Sequence, residues 1–192
     1  RYLDPSLRQE EPTGGYIDNL LTEDRLVMNA LVACGLTVDR RAWCDNSMDW
    51  SLTKSALFRT TWDYFDRWDT FSPWLHGVQD QTRLFNAAPI VHWNLDKHYL
   101  QDLEQRGVKV VPTAFIRRQS FLPLFDLMAR RGWSDVVIKP AIAGAAVDTY
   151  RLTRSGEVAT LSPEPPSTED CESLWQALLA KQDMLVQPCR SP

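Results

Sequence analysis

Apolar positions in the first half of the chain switch between helical and strand-like spacing. From Leu26 to Cys34 the apolar residues recur on one helical face, with Thr22 placed to cap this helix and Gly35 placed to end it in a left-handed conformation. Shorter apolar runs predict strands. The predicted elements of this half are a helix over 22–34, strands over 37–43 and 55–59, a helix over 69–81 and a short apolar connection over 84–93.

The second half shows the same alternation. Asn94 can cap a helix that carries an apolar stripe as far as Leu103 and stops at Gly107. Lys97 falls in the first turn of this helix, where the helix dipole disfavours a cation, so an anionic ligand would explain its position. The other predicted elements are a strand over 108–116 interrupted by Pro112, a helix over 120–131, a strand over 135–140, a hairpin over 149–152 and 157–161, a helix over 171–181 capped by Thr168, and a strand over 184–187.

Helices and strands are mixed throughout, which predicts the α/β (α+β) fold class. The proline-rich segment 162–167 is predicted to be a surface loop, because proline cannot donate to a regular ladder. A change of pattern near Trp93 predicts two regions.

The composition indicates a folded protein and argues against some classes of binding partner. The 192 residues are 44% hydrophobic and 24% charged, as in ordinary globular proteins. The net charge of −4 has the wrong sign for a protein that binds nucleic acid through its phosphates. No apolar run reaches the roughly 18 residues of a spanning helix and the first residues lack a secretion signal, so we expect a cytoplasmic protein without nucleic-acid or membrane partners.

Cysteine, acidic and tryptophan positions add no ready-made site. The four cysteines form no CxxC pair, which favours buried free thiols over a zinc site or a disulfide scaffold. Asp63, Asp66 and Asp69 lack the spacing of a calcium loop and are interpreted as a solvated stripe. The eight tryptophans are scattered among acids, so most are predicted to lie in the core.

The first candidate site is the end of the strand 135–140 and the loop that follows it. Lys139 is a compact charge that could meet a phosphate, and the small residues Gly144, Ala145 and Ala146 would let backbone amides approach phosphate oxygens. The alternative is a surface lysine followed by an ordinary turn, because neither a Walker A pattern nor GxGxxG is present. Lys97 strengthens the phosphate interpretation.

The second candidate lies just past the strand 55–59. Arg59 could grip a carboxylate with two parallel hydrogen bonds, and the Thr61 hydroxyl and the Tyr64 phenol follow it closely. These residues suggest a site for an anionic substrate. The alternative is the start of a helix, with Thr61 or Asp63 as its cap and Trp62 in the core.

Five segments follow one another in a characteristic order: Arg59-Thr-Thr-Trp-Asp-Tyr64, Trp93-Asn-Leu-Asp-Lys-His-Tyr-Leu100, Val111-Pro-Thr113, Val137-Ile-Lys-Pro140 and Val186-Gln-Pro188. This ordered set resembles bacterial ATP-grasp ligases of the cycloserine-forming type and, more distantly, prokaryotic glutathione synthetase. The resemblance implies a Rossmann-like pre-ATP-grasp domain over 1–93 and a partial ATP-grasp domain over 94–192, with a mostly antiparallel lid over about 110–187.

The resemblance also implies an activity. The parent enzyme would be an ATP-dependent carboxylate–amine ligase that acts through an acylphosphate. Lys97 and Lys139 would bind the nucleotide phosphates, and Arg59 and Tyr64 would lie near the acceptor substrate, with Thr61 between them. The residues expected to bind ATP are Lys97, Lys139, Gly144, Ala145, Ala146, Gln187, Pro188 and Cys189, of which the last three begin the adenine-facing segment.

The chain departs from the family at its ends. In similar ligases the Mg²⁺ ligands lie downstream of the adenine segment, so we expect them beyond Pro192, and a first strand is expected before Arg1. We therefore expect no catalytic residue and no metal ligand within these 192 residues, and an inactive chain. The alternatives are a catalytically incomplete nucleotide-binding module and a structural or partner-binding fragment, either of which could form a homo-oligomer.

Overall fold

The computed structural model describes residues 14–156, 158–163 and 170–189. The chain divides into two compact units, residues 1–91 and residues 92–192, and each is described by itself. The proposed Thr168 cap and most of the proline-rich loop lie outside the described residues.

The first element in the described part of unit 1 is the helix α1, which spans Gly14–Ala33 and is longer than predicted. The Thr22 hydroxyl donates to the carbonyl oxygen of Asp18 at 2.7 Å, so Thr22 lies inside the helix and is not its cap. Gly35 has φ +83°, which confirms the predicted left-handed end.

Unit 1 also contains a two-stranded parallel sheet, the helix α2 and a short 3-10 helix over Trp50–Leu52. The strand β1 (Ser55–Leu57) pairs with β2 (Arg83–Phe85), and α2 (Trp68–Val78) connects them. Phe71, Leu75 and Val78 recur at helical spacing and are buried. The predicted helix over 69–81 is confirmed, and the predicted strand over 55–59 is confirmed in its first three residues.

Two predictions for unit 1 are wrong. Residues 37–43 form no strand, because among the described residues no other strand pairs with them, and Arg40 and Arg41 instead form ion pairs with Asp24 and Asp39. Residues 84–93 are not a connection: they contribute to β2 and to the helix α3 (Ala88–Leu95). Short apolar runs do not by themselves distinguish helix, strand and loop.

The predicted helix from Asn94 to Leu103 is also wrong, because it is broken. Asn94 lies in α3, and the next helix, α4, spans Tyr99–Gln105. Between them the Asp96 carboxylate accepts the backbone N–H of His98 at 2.9 Å, a local bond that competes with helix continuation. Lys97 therefore lies between two helices, and the helix-dipole argument does not apply to it.

Unit 2 contains a five-stranded sheet in the order β3-β7-β4-β5-β6, in which all neighbours are antiparallel. Alternate residues of β4, among them Val136 and Ile138, are fully buried and form the core together with Trp175. The strands are β3 (Ala114–Ile116), β4 (Asp135–Pro140), β5 (Tyr150–Ser155), β6 (Val158–Ser162) and β7 (Met184–Pro188).

Two helices complete unit 2. The helix α5 (Leu124–Arg131) begins four residues later than predicted, since Pro123 disfavours helical backbone in the residue before it. The helix α6 (Cys171–Lys181) is capped by the carboxylate of Asp170, which accepts the N–H groups of Glu172 and Ser173. The Glu172 carboxylate then accepts the N–H groups of Leu124 and Phe125 at 2.9 and 2.7 Å, so α6 caps α5.

These elements confirm the predicted α+β class and the predicted, mostly antiparallel sheet. No helix in the described ranges is long and apolar enough to cross a bilayer. The four cysteines are free, as predicted, but Cys34 is exposed and the other three are only partly covered, so the prediction that they are buried is wrong.

The Glu172 cap gives a stability prediction. Changing Glu172→Ala leaves two N–H groups at the start of α5 without acceptors, and we expect a loss of about 1–2 kcal/mol in the free energy of unfolding. Urea denaturation followed by tryptophan fluorescence measures this loss. The control is Glu104→Ala, an exposed position on α4, which should change stability by less than about 0.5 kcal/mol. Equal stabilities of the two variants would show that the cap contributes nothing.

Candidate functional site

Lys139 lies near the end of the central strand β4. Buried and half-buried residues alternate along this strand, and Lys139 is half-buried on the face opposite to Ile138. Burial lowers the pKa of Lys139 below its ordinary value. Among the residues that the structure describes, its ammonium makes no hydrogen bond or ion pair.

Lys97 points its ammonium at the backbone that follows Lys139. Its Nζ donates to the carbonyl oxygens of Pro140, Ala141 and Ala143 at 3.0, 3.3 and 3.0 Å. Burial, and then the charge of Lys139, lower the pKa of Lys97 to about 8. The two ammonium groups are therefore close enough for their charges to interact, although the lysines are distant in sequence.

The loop after β4 contains the small residues predicted to approach phosphates. Ala145 and Ala146 have φ values of +51° and +58°, a left-handed conformation that is uncommon without glycine. Local hydrogen bonds close the loop: Val147 N–H donates to Gly144 O at 3.0 Å, and Thr149 N–H donates to Ala146 O at 3.2 Å. Contact of Gly144, Ala145 and Ala146 with a phosphate stays a prediction.

The predicted adenine-facing segment begins at the end of β7. Gln187 and Pro188 are the last two residues of this strand, and Cys189 follows it. The Gln187 side-chain amide donates to the Thr113 hydroxyl at 2.8 Å. The Cys189 N–H donates to the carbonyl oxygen of Asp135 at 2.8 Å, which holds this segment against the start of β4. The adenine contact of these residues stays a prediction.

His98 and its two carboxylate neighbours were not found by sequence reasoning. His98 Nδ1 lies 2.6 Å from Asp96 Oδ1, and Nε2 lies 3.9 Å from Asp183 Oδ2. The imidazole stacks on Phe115 with ring centroids 4.8 Å apart. These contacts fix the short segment that carries Lys97, so they help to position its ammonium.

In unit 1, Arg59 is held by protein carboxylates. Its Nε donates to Asp24 Oδ1 at 3.0 Å, and Nη2 donates to Glu23 Oε2 at 3.4 Å. Asp24 is 5% exposed and also accepts hydrogen bonds from Arg40 Nε at 3.1 Å and Thr60 Oγ1 at 3.3 Å. No local pattern predicts this cluster, because its members come from separate segments.

The other two predicted substrate residues of unit 1 are partly covered. Thr61 is partly exposed. Tyr64 packs against Phe65 and Phe71 with ring centroids 5.4 and 5.7 Å apart, and burial raises the pKa of its phenol. The substrate role of Arg59, Thr61 and Tyr64 stays a prediction.

The interpretation of a solvated acidic stripe is wrong for Asp63, whereas Asp66 and Asp69 are exposed as expected. The Asp63 carboxylate accepts the indole N–H of Trp43 at 2.8 Å and lies 3.6 Å from the Arg67 guanidinium, which stacks over the same indole at 4.7 Å. A cavity of about 400 Å³ beside this group is lined in part by Trp50 and Trp74. Of the eight tryptophans, all of which lie in the described ranges, Trp43 and Trp175 are buried and Trp62 and Trp93 are exposed, so the prediction that most of them lie in the core is wrong.

The described residues do not form a metal centre. Within 14–156, 158–163 and 170–189, no three His, Cys, Asp or Glu side chains come together in a way that could hold a metal ion. The Mg²⁺ ion implied by the resemblance therefore has no fitting donor set in this part of the chain.

Both units of the chain are similar to known proteins. Residues 8–86 match the family model described as D-cycloserine synthetase DcsG, N-terminal domain. Over 132 residues the chain is 33% identical to the cycloserine biosynthesis protein DcsG of Streptomyces lavendulae, an alignment that covers 67% of this chain and 44% of that protein. The chain is homologous to D-cycloserine synthetase DcsG.

A crystal structure of D-cycloserine synthetase DcsG has a TM-score of 0.74 and 28% identity to this chain. The match covers 89% of this chain and 55% of the DcsG chain. Because the structural match covers most of this chain, the fold shared with DcsG includes residues of both units. The chain spans about half the length of these relatives.

The Asp24 cluster gives a second stability prediction. Changing Asp24→Asn removes the buried charge that two guanidinium groups share, and we expect unit 1 to lose about 1–3 kcal/mol of stability. Hydrogen exchange of the β1 and β2 amides measures the loss in that unit. Asp80→Asn, an exposed carboxylate, is the matched control. Exchange that is unchanged in both variants would refute a structural role for Asp24.

Proposed function

We propose that this chain is the ATP-binding portion of an ATP-dependent carboxylate–amine ligase of the ATP-grasp type, which forms an amide-type bond through an acylphosphate. Homology to a cycloserine synthetase supports a biosynthetic ligase-type role. The single observation that carries the nucleotide part is the placement of two partly buried lysines beside one loop of small residues.

The residues of unit 2 fit a polyphosphate. Lys139 offers an ammonium without a hydrogen-bond partner among the described residues, and Lys97 adds a second positive charge beside it. A polyphosphate would offset the repulsion between these two charges and the cost of burying them. ATP, when bound, would supply the phosphoryl group that activates a carboxylate. The loop 141–149 would exclude water from it.

Unit 1 would bind the small-molecule substrates. A guanidinium has five N–H donors, and the described contacts of Arg59 with Asp24 and Glu23 involve only Nε and Nη2. Arg59 would orient the acidic group of the carboxylate or amine substrate, with Thr61 and Tyr64 nearby in sequence. The described residues of the chain provide no set of ligands for Mg²⁺. We propose a cytoplasmic location and no nucleic-acid or membrane partner.

The proposal predicts that ATP binds this chain through Lys139. ATP titrated by calorimetry should bind the wild-type chain, and Lys139→Met should lower the affinity at least about tenfold, because a charge-assisted contact to phosphate is lost. The matched control is Lys109→Met, an exposed lysine of the same unit, which should bind as the wild type does. Absence of ATP binding to the wild-type chain would sink the proposal.

A catalytically incomplete nucleotide-binding module is the second candidate, and the lack of a metal site among the described residues favours it for this chain alone. It would show ATP-dependent thermal stabilisation without phosphate release. A structural fragment, including one that assembles as a homo-oligomer, would show neither property. Phosphate release in the presence of substrates would instead indicate a complete enzyme.

The lowered pKa of Lys97 predicts how ATP affinity depends on pH. In the free protein the pKa is about 8, and a nearby polyphosphate favours the ammonium form, so binding should raise this pKa. ATP binding therefore takes up a proton above about pH 8, and affinity should fall by up to about tenfold per pH unit between pH 8 and 10. Calorimetry at pH 8.5 in buffers of different ionisation enthalpy measures the uptake. No proton uptake would place the phosphates away from Lys97.

A further inference from the structure

The cavity of about 400 Å³ in unit 1 has no role in the proposed function. The residues that line it all fall within 43–81, and the proposed substrate residues Arg59, Thr61 and Tyr64 are not among them. Cavities of roughly 300–1,000 Å³ are typical of small-molecule sites. The size of this cavity therefore fits a small ligand.

Three tryptophans give the cavity an aromatic wall. The Trp74 ring contacts both of the others, with centroids 5.5 Å from Trp43 and 5.6 Å from Trp50. Trp50 and Trp74 are only partly covered, so part of their ring surface is accessible. Met48 adds a further apolar side chain to the lining. A flat apolar group would pack well against these rings.

The indole N–H of Trp74 is buried and has no hydrogen-bond acceptor within the described ranges. The indole N–H groups of Trp43 and Trp175 differ, since they donate to Asp63 at 2.8 Å and to the carbonyl oxygen of Leu122 at 2.9 Å. Buried donors are nearly always paired, because an unpaired one destabilises the fold. A ligand acceptor would pair this N–H after a small movement of the ring that uncovers it.

The carboxylates at and beside the cavity already accept hydrogen bonds within the protein. Asp45 Oδ1 accepts the backbone N–H and the hydroxyl of Ser47 at 2.9 and 2.6 Å, and Oδ2 lies 3.5 Å from Arg41 Nη1. Asp63 Oδ1 accepts the Trp43 N–H. These acceptors are therefore used, which disfavours a cationic ligand.

Arg67 supplies a positive charge at the cavity. Its guanidinium lies over the Trp43 ring, 4.7 Å from the centroid, so a ligand cation could not take this ring face. A hydrogen bond with Cys44, and the charge of Asp63, raise the pKa of Arg67. These two partners do not use all five N–H donors of a guanidinium, whose fork matches a carboxylate.

We propose that this cavity is a binding site for a small carboxylate with a flat apolar body, such as an aromatic carboxylate. Arg67 and Trp74 donate to the carboxylate, and the apolar body packs against Trp50 and Met48. The inference does not rest on the proposed function, because it uses none of the residues assigned to ATP or to the ligase substrates.

Three probes with the same ring system test the site in the wild-type chain: naphthoate, the corresponding amide and the corresponding aminomethyl cation. Calorimetry measures their affinities. Naphthoate should bind at least about tenfold more tightly than the other two, because a charged acceptor strengthens the hydrogen bonds. Equal affinities of the three probes, or no binding of naphthoate, would overturn the proposal.

Nuclear magnetic resonance of the indole N–H groups locates the bound naphthoate. The Trp74 signal should move downfield as its N–H gains an acceptor, whereas the Trp175 signal, from the core of unit 2, should stay in place. Naphthoate that binds without moving the Trp74 signal would contradict the site.

Two variants test the donors. Arg67→Met removes the charge and Trp74→Phe removes the N–H while keeping an aromatic ring, and each should lower naphthoate affinity at least about fivefold. Arg25→Met, an exposed arginine of α1 outside the cavity, is the matched control and should bind as the wild type does.

The amide probe separates a lost contact from a damaged fold. Arg67→Met should bind the amide as the wild type does, so an equal loss for both probes would assign Arg67 a structural role and overturn the proposal. Unchanged naphthoate affinity in both variants would do the same. If either variant fails to fold, the comparison of the three probes on the wild-type chain decides.

Discussion

Two positive side chains share one partly buried region at the end of β4, and this constraint organises the surrounding structure. Burial disfavours the charged forms of both Lys97 and Lys139, and the charge of Lys139 further disfavours that of Lys97. Backbone carbonyls offset the penalty for Lys97, whereas the described residues provide no acceptor for Lys139. The hydrogen-bonding capacity of the Lys97 ammonium is therefore used within the protein, whereas that of the Lys139 ammonium is available to a ligand.

The hydrogen bonds of the unit 2 sheet hold in place the strand that carries Lys139. β4 lies in the middle of the sheet: residues 135–138 pair with β5 on one side, and the end that carries Lys139 pairs with β7 on the other. The helices α5 and α6 cover this sheet, and the Glu172 carboxylate joins them. A rigid strand thus leads into a loop whose conformation is strained. That contrast is typical of places where a protein must both hold and admit a ligand.

Sequence reasoning succeeded where a pattern is local. The strand 135–140, the helix 171–181 and the glycines that end helices, such as Gly35 and Gly132, follow from periodicity and from φ preferences. It failed where distant residues decide the outcome. The carbonyl partners of Lys97 lie 43 or more residues away, and Asp24 joins Arg40 and Arg59 across 16 and 35 residues. The break at Asp96–His98 depends on a single side-chain hydrogen bond that competes with the helix.

The bonds that join Lys97, Ala141 and Asp183 through their peptide groups have an evolutionary consequence. Hydrogen bonds between peptide groups do not depend on side-chain identity, so selection at position 141 acts on size and on the presence of an N–H. Glycine could replace Ala141 in a relative and keep both hydrogen bonds, whereas a serine hydroxyl would be buried there, since Ala141 is 3% exposed. Proline could not replace Ala141, because it has no N–H and would remove the hydrogen bond to the carbonyl oxygen of Asp183 without changing any charge.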